Sequence, residues 1–471
     1  MTTGISSLRK VQIGKESTKG TAVAATAVLR GLLKMNEAPS IHIANEERAT
    51  LADVKRTVKT GNLVNLSYEE DATFEEILYF LMMGVLGNLN PTSANPTGVK
   101  HDDNSVFADL TNAFDGNSAT SETIVGFVAA DDKLYIRSAS KFRAIRVDIG
   151  STPNALASTI STIECSDGST GWLECTLVRD RTLDSSGTKS MAVDGTIEFT
   201  PHADWESDTV DSDDGYWIRI TWDGNWTAST IINDIYTVPL ACVWTFTPNL
   251  AAAGTFDSFT LEHGDNIQAH EVEYCMASRI EISFSMNDVA MLRVDMFGRK
   301  KTACTFTAAL TAPTVESILG QKFKLYIDAE TGTIGSTEVT ATLLGATFTI
   351  NTGLKPIRKG DGSLDFSIYA EDVKSVDLRL TLAYNSTIET ERTYFDGETL
   401  RLIRLENTGS LISGTDYNKL TLDFCGYYTD FPDLDSKDGE DIVNVSLHSQ
   451  LGSNYTKLFE VAVTNEWATL P

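Results

Sequence analysis

The sequence has few basic residues for its number of acidic ones. It contains 38 Lys and Arg against 65 Asp and Glu, which gives a formal net charge of −27 at pH 7. A protein that holds nucleic acid tightly needs a basic face to neutralise the phosphates, so this balance argues against a nucleic-acid-binding role. An acidic surface is equally an ordinary means of solubility or an adaptation to salt.

Long hydrophobic runs and clustered cysteines are also lacking. The longest apolar run, residues 77–87, is about half the length that crosses a bilayer, so we expect a core helix and no membrane contact. The N-terminus MTTGISSLRK lacks the apolar segment of a signal peptide, which predicts synthesis in the cytosol. The six cysteines lack CxxC spacing, so buried free thiols are expected. A bridge between Cys165 and Cys175 is conceivable on adjacent strands, but cytosolic assembly argues against it.

Catalytic and metal-binding motifs are missing as well. The sequence has no HExxH, no G-x-S-x-G, no Walker loop and no dinucleotide fingerprint. The acidic clusters at residues 101–104 and 211–215 offer oxygen ligands for calcium, but neither has the spacing of an EF-hand loop. We therefore expect no enzymatic activity, no cofactor and no bound metal.

The sequence is rich in strand-length segments that alternate apolar and polar residues, such as FTLEHGD, HEVEYCMA, RIEISFSM, GATFTINT, VDLRLTLAY and LFEVAVT. This alternation indicates antiparallel sheets with one solvated face, and hence a mainly β sandwich or barrel. One helix is predicted over residues 73–86, where Thr73 and Glu76 form a T-x-x-E capping box. A second, shorter helix is predicted after Asn385.

Two charged hairpins are also predicted. Residues 41–65 form two weak strand patterns around a charged tip, and the basic sequence NTGLKPIRKGDG at residues 351–362 lies between two further strands. In both regions a hairpin is followed by a helix and more strands, which suggests a duplicated fold despite negligible sequence identity. Either tip is equally well explained as a solvated loop.

Three segments resemble phage tail tube proteins: residues 9–33 (RKVQIGKESTKGTAVAATAVLRGLL), residues 420–450 (LTLDFCGYYTDFPDLDSKDGEDIVNVSLHSQ) and, above all, residues 244–285, from WTFTPNL to RIEISFS. The resemblance implies a structural protein of the virion tail, made in the host cytoplasm. Its partner is itself, in stacked rings of three or six chains, with other tail proteins at the tube ends and DNA passing through the lumen. An acidic wall would keep the DNA from sticking.

The resemblance also implies that the hairpin tips touch the next ring. The candidate inter-ring residues are Glu46, Glu47, Arg48, Asp53, Lys55, Arg56, Lys355, Arg358 and Lys359. The basic tip could pair with an acidic rim centred on Asp433, Asp435 and Asp438. The polar, Gly-rich arm at residues 1–21 is expected to be disordered until assembly, and its deletion to residue 18 is expected to leave rings that do not stack.

An inserted β-sandwich or jelly-roll domain is predicted at residues 97–241, between loop-like flanks. The first tube domain would then comprise residues 1–96 and 242–300, and residues 301–471 would form a second tube-like domain or the C-terminal half of the fold. The insert should lie outside the tube, because a lumenal one would block DNA. An outward insert would obstruct a contractile sheath, which favours a long, non-contractile tail.

Within the insert, GYWIRITWDGNW at residues 215–226 resembles the last strands of carbohydrate-binding jelly rolls. Trp217, Trp222 and Trp226 could stack on sugar rings, although burial is the commoner fate of tryptophan. The alternative function is therefore a carbohydrate-binding adhesin. A glycan-cleaving enzyme is a third class, for which the sequence gives no signal.

Overall fold

The computed structural model describes residues 4–47, 51, 53, 56–86 and 90–471. The predicted fold class is confirmed: the protein is mainly β, with 52% strand, 6% helix, β-sandwich sheets and a half-barrel. In the described part of the chain, no helix combines the length and the apolar character needed to cross a membrane.

The chain begins with six strands and a helix, continues through eleven strands of the insert, and returns to a body of fifteen strands and a second helix. The first part comprises β1 (Lys10–Lys15), β2 (Ala27–Leu29), β3 (Leu32–Glu37), β4 (Ser40–Ile43), β5 (Thr57–Gly61), β6 (Val64–Asp71) and α1 (Ile77–Gly84). The insert comprises β7 (Gly98–Asp103), β8 (Val106–Asp109), β9 (Glu122–Val125), β10 (Lys133–Ser138), β11 (Phe142–Ile149), β12 (Ile160–Ser166), β13 (Trp172–Asp180), β14 (Gly195–Thr200), β15 (Asp208–Val210), β16 (Asp213–Trp222) and β17 (Ser229–Pro239).

The last part contains two unusually long strands, β20 and β29. It comprises β18 (Cys242–Phe246), β19 (Phe259–Gly264), β20 (Ala269–Ser285), β21 (Met291–Gly298), β22 (Lys301–Cys304), β23 (Phe323–Ala329), β24 (Leu343–Asn351), β25 (Leu354–Ile357), β26 (Ile368–Glu371), β27 (Ser375–Ala383), α2 (Ser386–Asp396), β28 (Arg401–Ser413), β29 (Asp416–Asp430), β30 (Asp435–Lys437), β31 (Glu440–Ser449) and β32 (Phe459–Asn465). Short 3₁₀ turns lie at Ser6–Leu8, Thr111–Ala113 and Gly320–Lys322.

The region predicted as an insert contains all eleven strands of a separate sheet, β7 to β17. These strands surround their own hydrophobic cluster, which includes Trp205 and Ile218. Where the chain enters and leaves this region, Ala94 and Thr237 exchange two backbone hydrogen bonds of 2.9 and 2.8 Å. Its two ends therefore lie side by side, as an inserted domain requires.

Seventeen of the body strands form one continuous sheet, because β20 and β29 each pair with three or more other strands, and the hairpins β4–β5 and β25–β26 are separate two-stranded sheets. The first half of β20 pairs with β19 and β22, and its second half pairs with β21 and β24. Together the body strands enclose a large hydrophobic cluster, which includes Trp244, Phe80 and Ile280, and a smaller one around Tyr274 and Phe366. The sheet therefore packs over itself around a common core.

Helix α1 is the centre of this core. All eight of its residues are buried, as expected for a helix that is apolar on every side. The N–H of Glu76 donates to Thr73 Oγ1 at 3.1 Å, as in the predicted capping box, but the helix begins at Ile77 and not at Thr73, and its N-cap, Glu76, makes no side-chain capping bond. Helix α2 follows Asn385 as predicted, and the Asn385 side chain caps it by accepting from the N–H groups of Thr387 and Ile388.

The N-terminal arm differs from the expectation. From Lys10 onward it forms β1, which lies between β2 and β19 and buries Val11 and Ile13. Glu16, just after β1, accepts hydrogen bonds from Ser258 Oγ and from the Tyr274 N–H. The short apolar alternation of β1 therefore outweighs the polar, Gly-rich composition from which disorder was predicted.

Candidate assembly surfaces

The body is built from two units that share one order of elements. In the first unit, strand β3, the hairpin β4–β5, strand β6 and helix α1 follow each other along the chain. In the second unit, strand β24, the hairpin β25–β26, strand β27 and helix α2 follow in the same order. β3 pairs antiparallel with β6, and β24 pairs antiparallel with β27.

The remaining strands repeat as well. β19 and β20 form an antiparallel pair, as do β28 and β29. β21 lies between β6 and β20, and β31 lies between β27 and β29. β22 pairs with the long strand β20, and β32 pairs with the long strand β29. β1, the first strand of the first unit, pairs with β19, and β23, the first strand of the second unit, pairs with β28. The second unit therefore begins at β23, some way after the boundary that the sequence placed at residue 300.

A β-bulge occurs at the same place in each unit. On β20 the bulge lies between Ala277 and Arg279, and on β29 it lies between Tyr428 and Asp430. Bulges re-aim strands and are specific structural features, so a matched pair is strong support for a repeat. Alignment on the bulges makes β21 residue Met296 equivalent to β31 residue Leu447.

The two units join edge to edge within the chain. The second half of β20 pairs with β24 over seven residues, from Arg279 opposite Asn351 to Ser285 opposite Gly345. We name this ladder the internal junction. It makes one eight-stranded sheet in the order β3, β6, β21, β20, β24, β27, β31, β29.

This eight-stranded sheet is open at both ends. Among the described residues, β3 pairs only with β6, and β29 pairs only with β31 beyond Gly426. We name β3 the first open edge and residues 429–437, which include β30, the second open edge. Open edges present unpaired backbone N–H and C=O groups to any strand that can align with them.

One face of the eight-stranded sheet is polar, and its charges pair across strands. Arg293 lies 2.9 Å from Glu69 and 3.4 Å from Glu281, and Arg279 lies 3.7 Å from Asp295. We name this the polar face. The side chains beside these pairs are mostly small, including Ser67, Ser283, Thr347, Thr349, Thr381 and Asn444.

The polar face is concave over its second half. A groove of about 310 Å³ is lined by residues from β20, β24, β27, β29 and β31. Its lining includes Glu281, Thr349, Asp377 and Arg379. A groove that spans five neighbouring strands requires the sheet to curve towards that face.

The first predicted inter-ring tip lies only partly within the described residues. Glu46 and Arg56 form an ion pair of 3.4 Å, and Glu47 and Asp53 are exposed. Arg48 and Lys55 lie outside the described residues. An exposed ion pair of this kind contributes up to about 1 kcal/mol of stability. Between rings, such pairs would fix the register of one ring on the next more than they would hold the rings together.

The second tip packs against the base of the first hairpin. Arg358 donates to the Asn62 carbonyl at 2.8 Å, and the Asn62 N–H donates to the Leu364 carbonyl at 2.7 Å. Lys355 forms an ion pair with Asp372 of its own hairpin, whereas Lys359 is exposed. The structure therefore brings the two predicted hairpins side by side and does not place the basic tip against residues 433–438 of the same chain.

The three tryptophans predicted to stack on sugars are buried. Trp217, Trp222 and Trp226 expose 0%, 2% and 2% of their surfaces. The indole N–H of Trp222 donates to Ser190 Oγ at 3.1 Å, and Trp226 stacks on Phe127 with ring centroids 4.3 Å apart. None of these rings offers a free face to a ligand in this conformation.

The acidic cluster considered for calcium surrounds a lysine instead. Lys100 Nζ lies 2.7 Å from Asp109, 2.9 Å from Asp211 and 3.0 Å from Asp213. Over the described ranges, no group of three or more His, Cys, Asp or Glu side chains is arranged to hold a metal. All six cysteines are free, including Cys165 and Cys175.

Sequence reasoning missed the two open edges. β3 is a six-residue strand with one fully buried side chain, Leu33, so its alternation is faint. The available signal was the length of β20: a 17-residue strand is longer than one sheet layer needs, which indicates that its second half takes part in further strand pairing.

No protein-family model matches the chain, and no curated protein matches it. Among solved structures, the chain is similar to a truncated AlyQ with CBM32 and alginate lyase domains, at 11% sequence identity and a TM-score of 0.20. The similarity covers 80% of this chain and 98% of that one. A TM-score this low carries no argument about fold or function, so the function is argued from the surfaces described above.

Proposed function

We propose that the chain is a structural subunit of a phage tail tube, which assembles into stacked rings around a lumen for DNA. The observation that carries this proposal is the eight-stranded sheet with an open edge at each end. The two edges differ in sequence, so copies would join head to tail. Such contacts form a ring when the rotation closes, and a closed ring leaves no edge exposed.

The polar face is suited to line the lumen. Among the described residues, most of its charges are paired across strands, with the exposed Arg379 as an exception, and its other side chains are mostly small and polar. Such a surface offers DNA phosphates no unpaired basic stripe, and the net charge of −27 repels them. Barrels of 16–18 strands already enclose an aqueous channel, and rings of this sheet would contain more strands.

The insert would lie on the outside. Its contacts with the body run through the segment after β32: Arg179 donates to Thr469 Oγ1 at 3.2 Å, and the Thr469 hydroxyl donates to Glu198 at 2.9 Å. β32 is not a strand of the eight-stranded sheet, so the insert leaves the polar face open. An outer domain of this size favours a long, non-contractile tail, with other tail proteins at the tube ends.

The test is negative-stain electron microscopy of the purified protein over a concentration series. We expect rings with a central hole, which stack into tubes as the concentration rises, and their symmetry distinguishes three chains from six. Discrete monomers at every concentration would contradict the proposal. Glycan arrays would then test the carbohydrate-binding alternative.

A further inference from the structure

The internal junction gives a template for the contact between copies. We infer that the first open edge, β3, pairs antiparallel with the second open edge, residues 429–437, of a second copy of this chain, in the register of the internal junction. This inference rests on the proposed function and specifies which strands and residues close the ring. The repeat matches β3 to β24 and matches residues 429–437 to the second half of β20. Because β24 and β20 pair with each other, the strand that fits each open edge is the other open edge, on a second copy of this chain.

The register follows from the repeat. Met296 is equivalent to Leu447 by the matched bulges, and the ladders to β6 and β27 then make Leu66 equivalent to Leu378. Leu66 pairs with Met35 and Leu378 pairs with Phe348. On β3, Met35 therefore takes the place of Phe348 on β24, and Lys34 takes the place of Thr347.

The same reasoning places Asp435. Met291 of β21 is equivalent to Ile442 of β31, five residues before the matched pair in each strand. Ser283 pairs with Met291, and Asp435 pairs with Ile442, so Asp435 takes the place of Ser283. At the internal junction Ser283 lies opposite Thr347. Between copies, Asp435 should therefore lie opposite Lys34.

The chemistry of the two edges is complementary. Lys34 and Asp435 are both exposed, and their opposition would place unlike charges directly across a ladder. Exposed apolar side chains also occur on both edges: Leu32 is 75% exposed and Leu434 is 39% exposed. Pairing would cover part of this apolar surface and satisfy the free backbone groups.

The second open edge is irregular in the single chain. β29 ends at Asp430, one residue after its bulge, and strand structure resumes only at β30. In the first unit the equivalent part of β20 is regular through Ser285, and there it has β24 beside it. Pro432, which has no N–H to donate, lies in this irregular stretch, and the stretch also lacks the neighbour that β24 provides in the first unit. A second copy's β3 would supply that neighbour.

The two edges of one chain lie at opposite ends of the sheet, seven strand spacings apart, which is about 34 Å along the sheet. A covalent link between Lys34→Cys and Asp435→Cys therefore reports contact between copies. We expect oxidation of this double variant to give a ladder of covalent oligomers on a denaturing gel. An equal mixture of the two single variants should give covalent dimers.

The matched control pairs Lys34→Cys with Asp416→Cys, because Asp416 is exposed at the first residue of β29, at the end far from the second open edge. This control should stay monomeric on the gel. Rings in the microscope without the Lys34–Asp435 link, or equal linking in the control, would overturn the inference and leave the tube proposal standing. The specific link without rings would support the edge contact and count against the tube. Neither link nor rings would overturn both.

Charge exchange gives a second measurement that needs no covalent link. Lys34→Glu and Asp435→Lys each place like charges across the ladder, and we expect each to raise the concentration needed for ring formation roughly fivefold. The double exchange should restore the wild-type threshold, whereas Asp416→Lys should leave it unchanged. Equal thresholds for the single and double variants would contradict the assigned register.

Discussion

At the scale of single residues, the least conventional feature is a group of three buried carboxyl groups at the start of α1. Burial is the main cause that raises the pKa values of Glu70, Glu75 and Glu76. Arg30 lies 3.4 Å from Glu76, and the Tyr68 hydroxyl donates to Glu70. Because Arg30 offsets the charges of Glu70 and Glu76 but not that of Glu75, the stability of this corner of the core should depend on pH.

Glu75 allows that dependence to be tested. Burial raises its pKa from 4.5 to about 7, against the opposing effect of the Glu316 N–H, which donates to it at 3.0 Å. A folded pKa above the unfolded one means that stability falls as the pH rises from about 4.5 through 7. The loss at pH 8 is about 3 kcal/mol. Glu75→Gln keeps an acceptor for the Glu316 N–H and cannot ionise.

We therefore expect Glu75→Gln to be more stable than the wild type at pH 8 by up to about 3 kcal/mol, and to match it at pH 5. Urea unfolding at the two pH values measures the difference. Glu398→Gln, at an exposed position, is the control and should show no pH-dependent gain. A gain of equal size at both pH values would exclude ionisation of Glu75 as its cause.

Contacts between residues close together in the sequence could be predicted from their spacing, whereas contacts between residues far apart in the sequence could not. The bond from the Glu76 N–H to Thr73 spans three residues, so its spacing predicts it. Lys100 neutralises Asp211 from 111 positions away, so no local spacing reveals it. Trp217 was a candidate for stacking on sugars, but Arg137 and Tyr135 pack against its ring.

At the scale of elements, the order of hairpin, helix and strands predicted a duplication, and the ladders show how the units pair. Alternation indicated that β20 and β24 are strands, but it carries no information on their partners. The matched bulges at Ser278 and Thr429 were equally hidden, because a bulge depends on the opposing strand. The open edges, which matter most for assembly, are therefore the elements that the sequence predicts least.

Strand β1 changes what an N-terminal deletion should do. Removal of residues 1–18 takes away the strand between β2 and β19, with the buried side chains of Val11 and Ile13. Loss of each buried side chain costs about 1.5–3 kcal/mol, and two further strand edges lose their partner. We now expect this deletion to give a poorly folded protein and not rings that fail to stack.

Thermal unfolding followed by circular dichroism measures the effect of that deletion. A shorter deletion of residues 1–4 leaves β1 intact and serves as the control, with an expected melting temperature close to that of the full chain. A wild-type melting temperature for the deletion of residues 1–18 would show that β1 is dispensable for folding.

At the scale of the whole molecule, the insert has a hydrophobic cluster of its own, and Ala144 and Val238 are the residues of the insert that belong to the body's cluster. The hydrogen bonds between Ala94 and Thr237 hold the ends of the insert together. The side chains that it would expose on separation from the last residues of the chain, such as Arg143, Arg179 and Glu198, are polar. The apolar part of the contact is small, because it comes from the side chains of Ala144 and Val238.

We therefore expect residues 93–241, expressed alone, to fold and to unfold in one cooperative transition in calorimetry. The full chain should show that transition together with a second one from the body. A fragment of equal length, residues 113–261, lacks β7 and β8 and is the control that should not fold. Failure of residues 93–241 to fold would show that the insert depends on the body.

The internal junction has one further consequence, for the kinetics of assembly. Every association between free subunits loses translational and rotational freedom, at a cost of about 4–15 kcal/mol. In the proposed ring, half of the joints between repeated units would be made during folding, through a tether that holds β20 beside β24 whatever the protein concentration. A ring with a given number of units therefore needs half as many encounters, and nucleation should depend on a lower power of the subunit concentration.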